Sequence, residues 1–175
     1  MNKLNDEYEF ETIYHLAALL STRAELSPQI AHDVNVGGTM NLLNLAYKQG
    51  LSQGTQIKFF FPSSIAIYGL KNIQEKVSAG AIKEDCYKNP YTIYGCNKLY
   101  CEHLGNYYAN YYQRLSTEKY KSHIDFRSIR FPGIISANTT PSAGTSDYIP
   151  DMLHTVGRGE SYNCFVRKNT KIPFM

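Results

Sequence analysis

No apolar stretch in this chain of 175 residues reaches the roughly 20 residues that a membrane-spanning helix needs. The first residues carry Asp6, Glu7, Glu9 and Glu11 in place of the basic start and apolar centre of a secretory signal, so a cytoplasmic location is expected. The four cysteines, Cys86, Cys96, Cys101 and Cys164, form no C-x-x-C pair. They share no zinc-type spacing with the five dispersed histidines, and reduced thiols without a metal site are the expectation. A charge of one sign is also missing: 18 Lys and Arg stand scattered against 15 Asp and Glu, which is no nucleic-acid footprint. There is no internal repeat or low-complexity tract. The length suits one domain able to bury a core.

What is present is a strand-and-helix alternation that delivers hydroxyls to one place. Residues 57–64 form an apolar, aromatic run ending in Pro62-Ser63-Ser64, which predicts a buried parallel strand whose C-terminal end opens on a crevice. Tyr94 and Lys98 stand four apart on a predicted helix over about 91–114, which puts their Cβ atoms roughly 5–6 Å apart on one face. A free phenol has a pKa of about 10, and an adjacent ammonium would lower it and make Tyr94 a usable base. A serine hydroxyl can orient the oxygen whose proton that base removes.

Residues 12–20 begin as a buried strand and turn small after His15. Apolar positions at Val36, Met40, Leu43 and Ala46 predict a helix over 33–49 with Asp33 as N-cap, in which Gly37 and Gly38 imply a close neighbour. A turn-rich loop is predicted from Tyr68 to Pro90, and Tyr107, Tyr108, Tyr111 and Tyr112 are expected to pack on the sheet. A polar loop over 115–123, a strand over 124–130, a small-residue loop over 138–147 and a helix over about 147–156 complete the chain. Such alternation indicates an α/β fold with a parallel sheet, though three strands are too few for a full doubly wound domain.

Four motifs in order, His15-Leu16-Ala17-Ala18, Asn35-Val36-Gly37-Gly38-Thr39, Ser63-Ser64 with Tyr68-Gly69, and Tyr94-x-x-x-Lys98, resemble those of the extended short-chain dehydrogenase/reductase family, the NAD-dependent epimerases and dehydratases. Thr92-Ile93-Tyr94-Gly95, the run from Ile129 to Ser136 and Gly144-Thr145-Ser146-Asp147-Tyr148 resemble the short-chain type of L-threonine 3-dehydrogenase within it. The resemblance implies a partial Rossmann-like doubly wound sheet, NAD as cofactor and a small-molecule substrate. Tyr94 would be the proton acceptor, Lys98 its partner and a ligand of the nicotinamide ribose, and Ser64 the holder of the substrate oxygen.

His15, Leu16, Ala17, Ala18, Asn35, Ser63, Tyr94, Lys98 and Pro132 would face the cofactor or support its crevice. Ser21, Ser64, Thr145, Ser146 and Asp147 would hold the substrate, although Ser21, Ser146 and Asp147 also suit helix caps. Residues 1–135 would be the C-terminal part of the NAD-binding domain and 136–175 the start of the substrate-binding region.

The family's G-x-x-G-x-x-G turn and the acidic ribose ligand after it do not occur in the sequence. The expectation is an internal fragment, inactive alone, with an exposed strand edge over 12–17, of an enzyme that as a whole is a homodimer. Nucleotide-sugar epimerisation or dehydration, with the same Ser, Tyr and Lys, is the rival reaction. A catalytically silent interaction module is the rival from another class.

Overall fold

The computed structural model describes residues 7–118, 120–136, 138 and 144–175. A three-stranded parallel sheet runs in the order β1 (Thr12–Tyr14), β2 (Ile57–Ser64), β3 (Ile124–Phe131). Phe60 of β2 pairs with Tyr14 and Arg127, and Ser64 with Phe131, so β2 and β3 end together at the crevice while β1 stops four residues earlier. Alternate residues of β2, Ile57, Phe59, Phe61 and Ser63, are buried, which is the period-2 signature of a strand covered on one face. The predicted α/β parallel architecture is the observed one.

The covering layer comes from helices on both sides of β2 in the sequence. Before it lie α1 (Ser21–Leu26), α2 (Pro28–His32), a π turn (Asp33–Gly37) and α3 (Gly38–Gln53). After it come a 3₁₀ turn (Ile65–Ile67), α4 (Ile73–Ala79) and α5 (Ile93–Asn110). Val36, Leu43 and Ala46 meet Ile57, Phe59, Phe61 and Ile124, with Cys101 and Tyr108 closing the core. Each fully buried Leu, Ile or Phe contributes about 1.5–3 kcal/mol. Helix α6 (Tyr148–Gly157) and a mostly irregular tail follow β3, and the tail returns to pair Phe174 with Gly133.

Several local expectations are corrected. Asp33 is not an N-cap: the helical run begins at Pro28, whose ring suits the first position, and Asp33 lies inside it with helical φ and ψ. No described protein atom comes within 4 Å of a Cβ built on Gly37 or Gly38. The long loop after Tyr68 contains α4, whose start Asn72 caps by accepting a 2.8 Å bond from Glu75 N. Strand β1 is not buried along its length, since Tyr14 is 68% exposed at the sheet's edge. Tyr107 and Tyr111 face solvent, whereas Tyr108 donates to Asn44 Oδ1 (2.6 Å) and Tyr112 lies against Tyr47 of α3, so much of that aromatic packing is helix on helix. The central part of the predicted loop over 138–147, residues 139–143, lies outside the described residues.

Helix α5 approaches its neighbours at two glycines. A Cβ on Gly95 would stand 2.2 Å from Ala66 O, and one on Gly105 would stand 2.1 Å from the Phe126 ring. Thr92 caps the helix by accepting a 3.1 Å bond from Gly95 N, which fixes where Tyr94 leaves the first turn. Among the described residues no helix is long and apolar enough to cross a membrane, and no cluster of His, Cys, Asp or Glu could hold a metal.

Candidate active site

A cleft of about 490 Å³ opens at the C-terminal ends of β2 and β3, where ligands enter open parallel sheets. The wall built by β2, α5 and the end of β3 carries Ser63, Ser64, Tyr94, Lys98 and Pro132; the rest of the lining includes Leu16, Ala18, Ser21, Thr145, Ser146 and Asp147, from the segment after β1, the start of α1 and the turn before α6. Of the residues singled out in the sequence, His15, Ala17 and Asn35 do not line this cleft. His15 and Asn35 stand behind it in a buried polar chain. Asn35 accepts from Leu19 N (2.8 Å) and donates to Leu19 O (3.1 Å), pinning the backbone that follows β1.

Thr39 Oγ1 donates to Asn35 O (2.6 Å), so it must accept from His15 Nε2, 2.9 Å away, and the neutral Nε2–H tautomer follows. Burial, then the charge of Lys98, lowers the His15 pKa, in agreement with that neutral ring. The π turn that carries Asn35 thus serves to aim one side chain into the loop, a use that such turns often have.

Ser64 Oγ accepts from Ala66 N (3.1 Å). Burial pushes the Tyr94 pKa above its ordinary value, and the neighbouring Ser64 hydroxyl opposes the rise. Lys98 Nζ donates to Pro62 O at 2.6 Å and lies 4.6 Å from the centre of the Phe61 ring and 5.6 Å from that of Tyr94. Burial lowers its pKa to about 8, with the nearby Cys101 thiol acting the other way. The expected lowering of the phenol by the ammonium is therefore not what this arrangement does. The ammonium is directed at a backbone carbonyl, and loss of solvent disfavours both charged forms.

Behind this wall Arg130 of β3 grips Glu102 of α5 through Nε (3.0 Å) and Nη2 (2.7 Å). Its Nη1 donates to Tyr68 Oη (2.8 Å) and Glu84 O (2.6 Å). Burial alone would raise the Glu102 pKa; the bonds from Arg130, with Ser63 and the charge of His103 assisting, hold it below the ordinary value. The buried Ser63 hydroxyl faces that carboxylate without a hydrogen bond of ordinary geometry. The fork ties the C-terminal end of β3 to the middle of α5, one turn beyond Lys98, and so couples the positions of Pro132 and of the Tyr94–Lys98 turn.

In the turn before α6, Asp147 Oδ2 accepts from Gly144 N at 2.6 Å, and the carboxylate makes no side-chain cap on that helix. Ser21 is the first residue of α1 and makes no cap bond either. Sequence reasoning missed Lys76, which lines the cleft from α4, together with Ile65, Phe131 and Ile172. Recognising the cap at Asn72 and Glu75 would have placed Lys76 on a helix.

Residues 1–124 match the family profile described as GDP-mannose 4,6 dehydratase. The bovine mitochondrial L-threonine 3-dehydrogenase is 32% identical over 163 residues, 93% of this chain and 38% of that protein. An uncharacterised epimerase/dehydratase of Staphylococcus saprophyticus is 35% identical over all 175 residues, 48% of its own length. Among solved structures, a monomeric L-threonine 3-dehydrogenase from a metagenome superposes with a TM-score of 0.82 at 36% identity, over 99% of this chain and 49% of that one. The holo form of the GalE-like L-threonine dehydrogenase of Cupriavidus necator gives 0.81 at 33%, over 99% and 50%. The chain spans about half the length, or less, of the relatives it matches.

Proposed function

The chain belongs to the extended short-chain dehydrogenase/reductase family of epimerases and dehydratases, and from that premise we propose that its cleft serves the NAD-dependent oxidation of the β-hydroxyl of L-threonine. The observation that carries this reading is that Ser64, Tyr94 and Lys98 line one cleft together with Ser21, Thr145, Ser146 and Asp147. Hydroxyls suit a carboxylate and Asp147 suits an ammonium, so a small amino acid would be held at both ends with its β-carbon beside Tyr94.

The residues fit the nicotinamide end of a dinucleotide. Ser63 keeps a buried hydroxyl unsatisfied, Lys98 presents a cation, and Ala18 and Pro132 give small apolar contacts. No glycine-rich turn or acidic ribose ligand for the adenine end occurs in the sequence, so binding by this chain alone should be weak. NAD, when bound, supplies the hydride acceptor. Ser64 would orient the substrate hydroxyl, and the Tyr94 oxygen would receive its proton. Lys98, with a pKa of about 8, is protonated at neutral pH and would donate to the nicotinamide ribose. The same wall would serve oxidation of a sugar hydroxyl, so the Ser21 and 145–147 wall decides between the two reactions.

The test replaces the matching half of the Cupriavidus necator threonine dehydrogenase with residues 8–175 of this chain. The chimera should form NADH with L-threonine and lose that activity on Tyr94→Phe. A folded chimera that turns over a nucleotide sugar and leaves L-threonine untouched would overturn the assignment.

A further inference from the structure

A second cavity, of about 710 Å³, lies beside the cleft and shares Ile65, Lys76 and Ile172 with it. Its volume is that of a small-molecule site. Much of the wall is aliphatic, where Leu70, Ile73, Val77 and Ile82 join the shared isoleucines, and Asn169 and Thr170 add polar groups beside the cations. Ile73 and Val77 are 38% and 63% exposed, so α4 leaves apolar surface uncovered there. The ionic lining has a single sign. Lys76, Arg167 and Lys171 border the space, no Asp or Glu lines it, and among the described residues none of the three cations is in an ion pair. Tyr68, the one aromatic residue in the lining, has its hydroxyl and one ring face engaged by Arg130 at 2.8 Å and 5.2 Å, so the lining offers no pair of aromatic faces between which a nucleobase could be sandwiched.

We propose that this cavity binds an amphipathic carboxylate, a straight-chain aliphatic acid. Its alkyl body lies along Leu70, Ile73, Val77 and Ile82, and its carboxylate is met by Lys76, Arg167 and Lys171. Aliphatic walls gain from burying a chain, while three uncompensated cations, next to the polar Asn169 and Thr170, favour an anionic head. The assignment goes beyond the reaction proposed for the cleft and holds whichever alcohol that cleft takes. Lys76 places the head group on the wall common to both spaces.

Calorimetric titration of the full chain with the carboxylates from hexanoate to decanoate, with decanol and with acetate, tests it without any assay of catalysis. Affinity should rise about fourfold per methylene. Decanol should bind about tenfold more weakly than decanoate, and acetate not detectably. Reversing two exposed charges together, Arg167→Glu with Lys171→Glu, should weaken decanoate about tenfold and leave decanol unchanged. Val77→Asp, at another exposed position, should weaken both. Equal binding of acid and alcohol, affinity independent of chain length, indifference to the charge reversal, or no binding would each overturn the proposal.

Discussion

Tyr94 and Lys98 are 9% and 5% exposed, with Lys98 tied to Pro62 O, whereas Thr145, Ser146 and Asp147 lie in a turn closed by the bond from Gly144 N to Asp147. The first wall stands on β2, β3 and α5, cross-braced by Arg130 and Glu102. The second stands on the first residues of two short helices and on a turn. Groups that exchange a proton tolerate little displacement, so they belong on braced elements. Groups that choose a substrate can be changed with little harm to the scaffold, which is how one fold serves alcohols as different as an amino acid and a sugar.

Substitutions can break this contrast or sharpen it. The largest effect should come from Tyr94→Phe in the chimera: a loss of about 10²–10⁴-fold in turnover, read by NADH formation, with a melting temperature close to that of the parent. Retention of turnover would remove the braced wall from the chemistry. Next, Arg130→Ala leaves Glu102 without its partner where both side chains are largely buried, and should cost about 3–5 kcal/mol in urea unfolding.

Third, Lys98→Met should show a pH signature. Lys98 is charged in both folded and unfolded chains below about pH 8, and its buried charge then costs stability. That cost fades as pH rises from about 8 toward the free-lysine value near 10.4, because the unfolded chain holds the proton longer. The stability of the wild type relative to Lys98→Met should accordingly rise by on the order of 3 kcal/mol across that window. A flat difference would mean that Lys98 is solvated. The smallest effect belongs to the other wall: Asp147→Asn, which keeps an acceptor for Gly144 N, should raise the KM for threonine about fivefold and change stability by less than about 1 kcal/mol.

The difference between the walls is also one of legibility. Strand β2 shows in the run Ile57 to Phe61 because alternate side chains are buried, and Tyr94 and Lys98 show because four residues on a helix fix a face. Helix α4 stayed hidden: Ile73 and Val77 are both exposed, so it buries no stripe that periodicity could reveal. The π turn at Asp33–Gly37 changes helical spacing without a residue type that announces it. The pKa directions at Tyr94 and Lys98 could not be read either, since Pro62 is 36 positions from Lys98 and only tertiary packing brings its carbonyl to the ammonium.

The two glycines of α5 have a mechanical consequence. Gly95 touches the 3₁₀ turn and Gly105 touches Phe126, ten residues further on, or roughly 15 Å along the axis. A rod held at two separated points has no freedom to pivot. Its pitch over the sheet is gauged by the thickness of a carbonyl at one end and of a phenyl ring at the other. A methyl group added at Gly105 would act as a wedge under the far end of a lever whose near end carries Tyr94, so the alignment of the reacting oxygen is set in part by an absent side chain about three turns away.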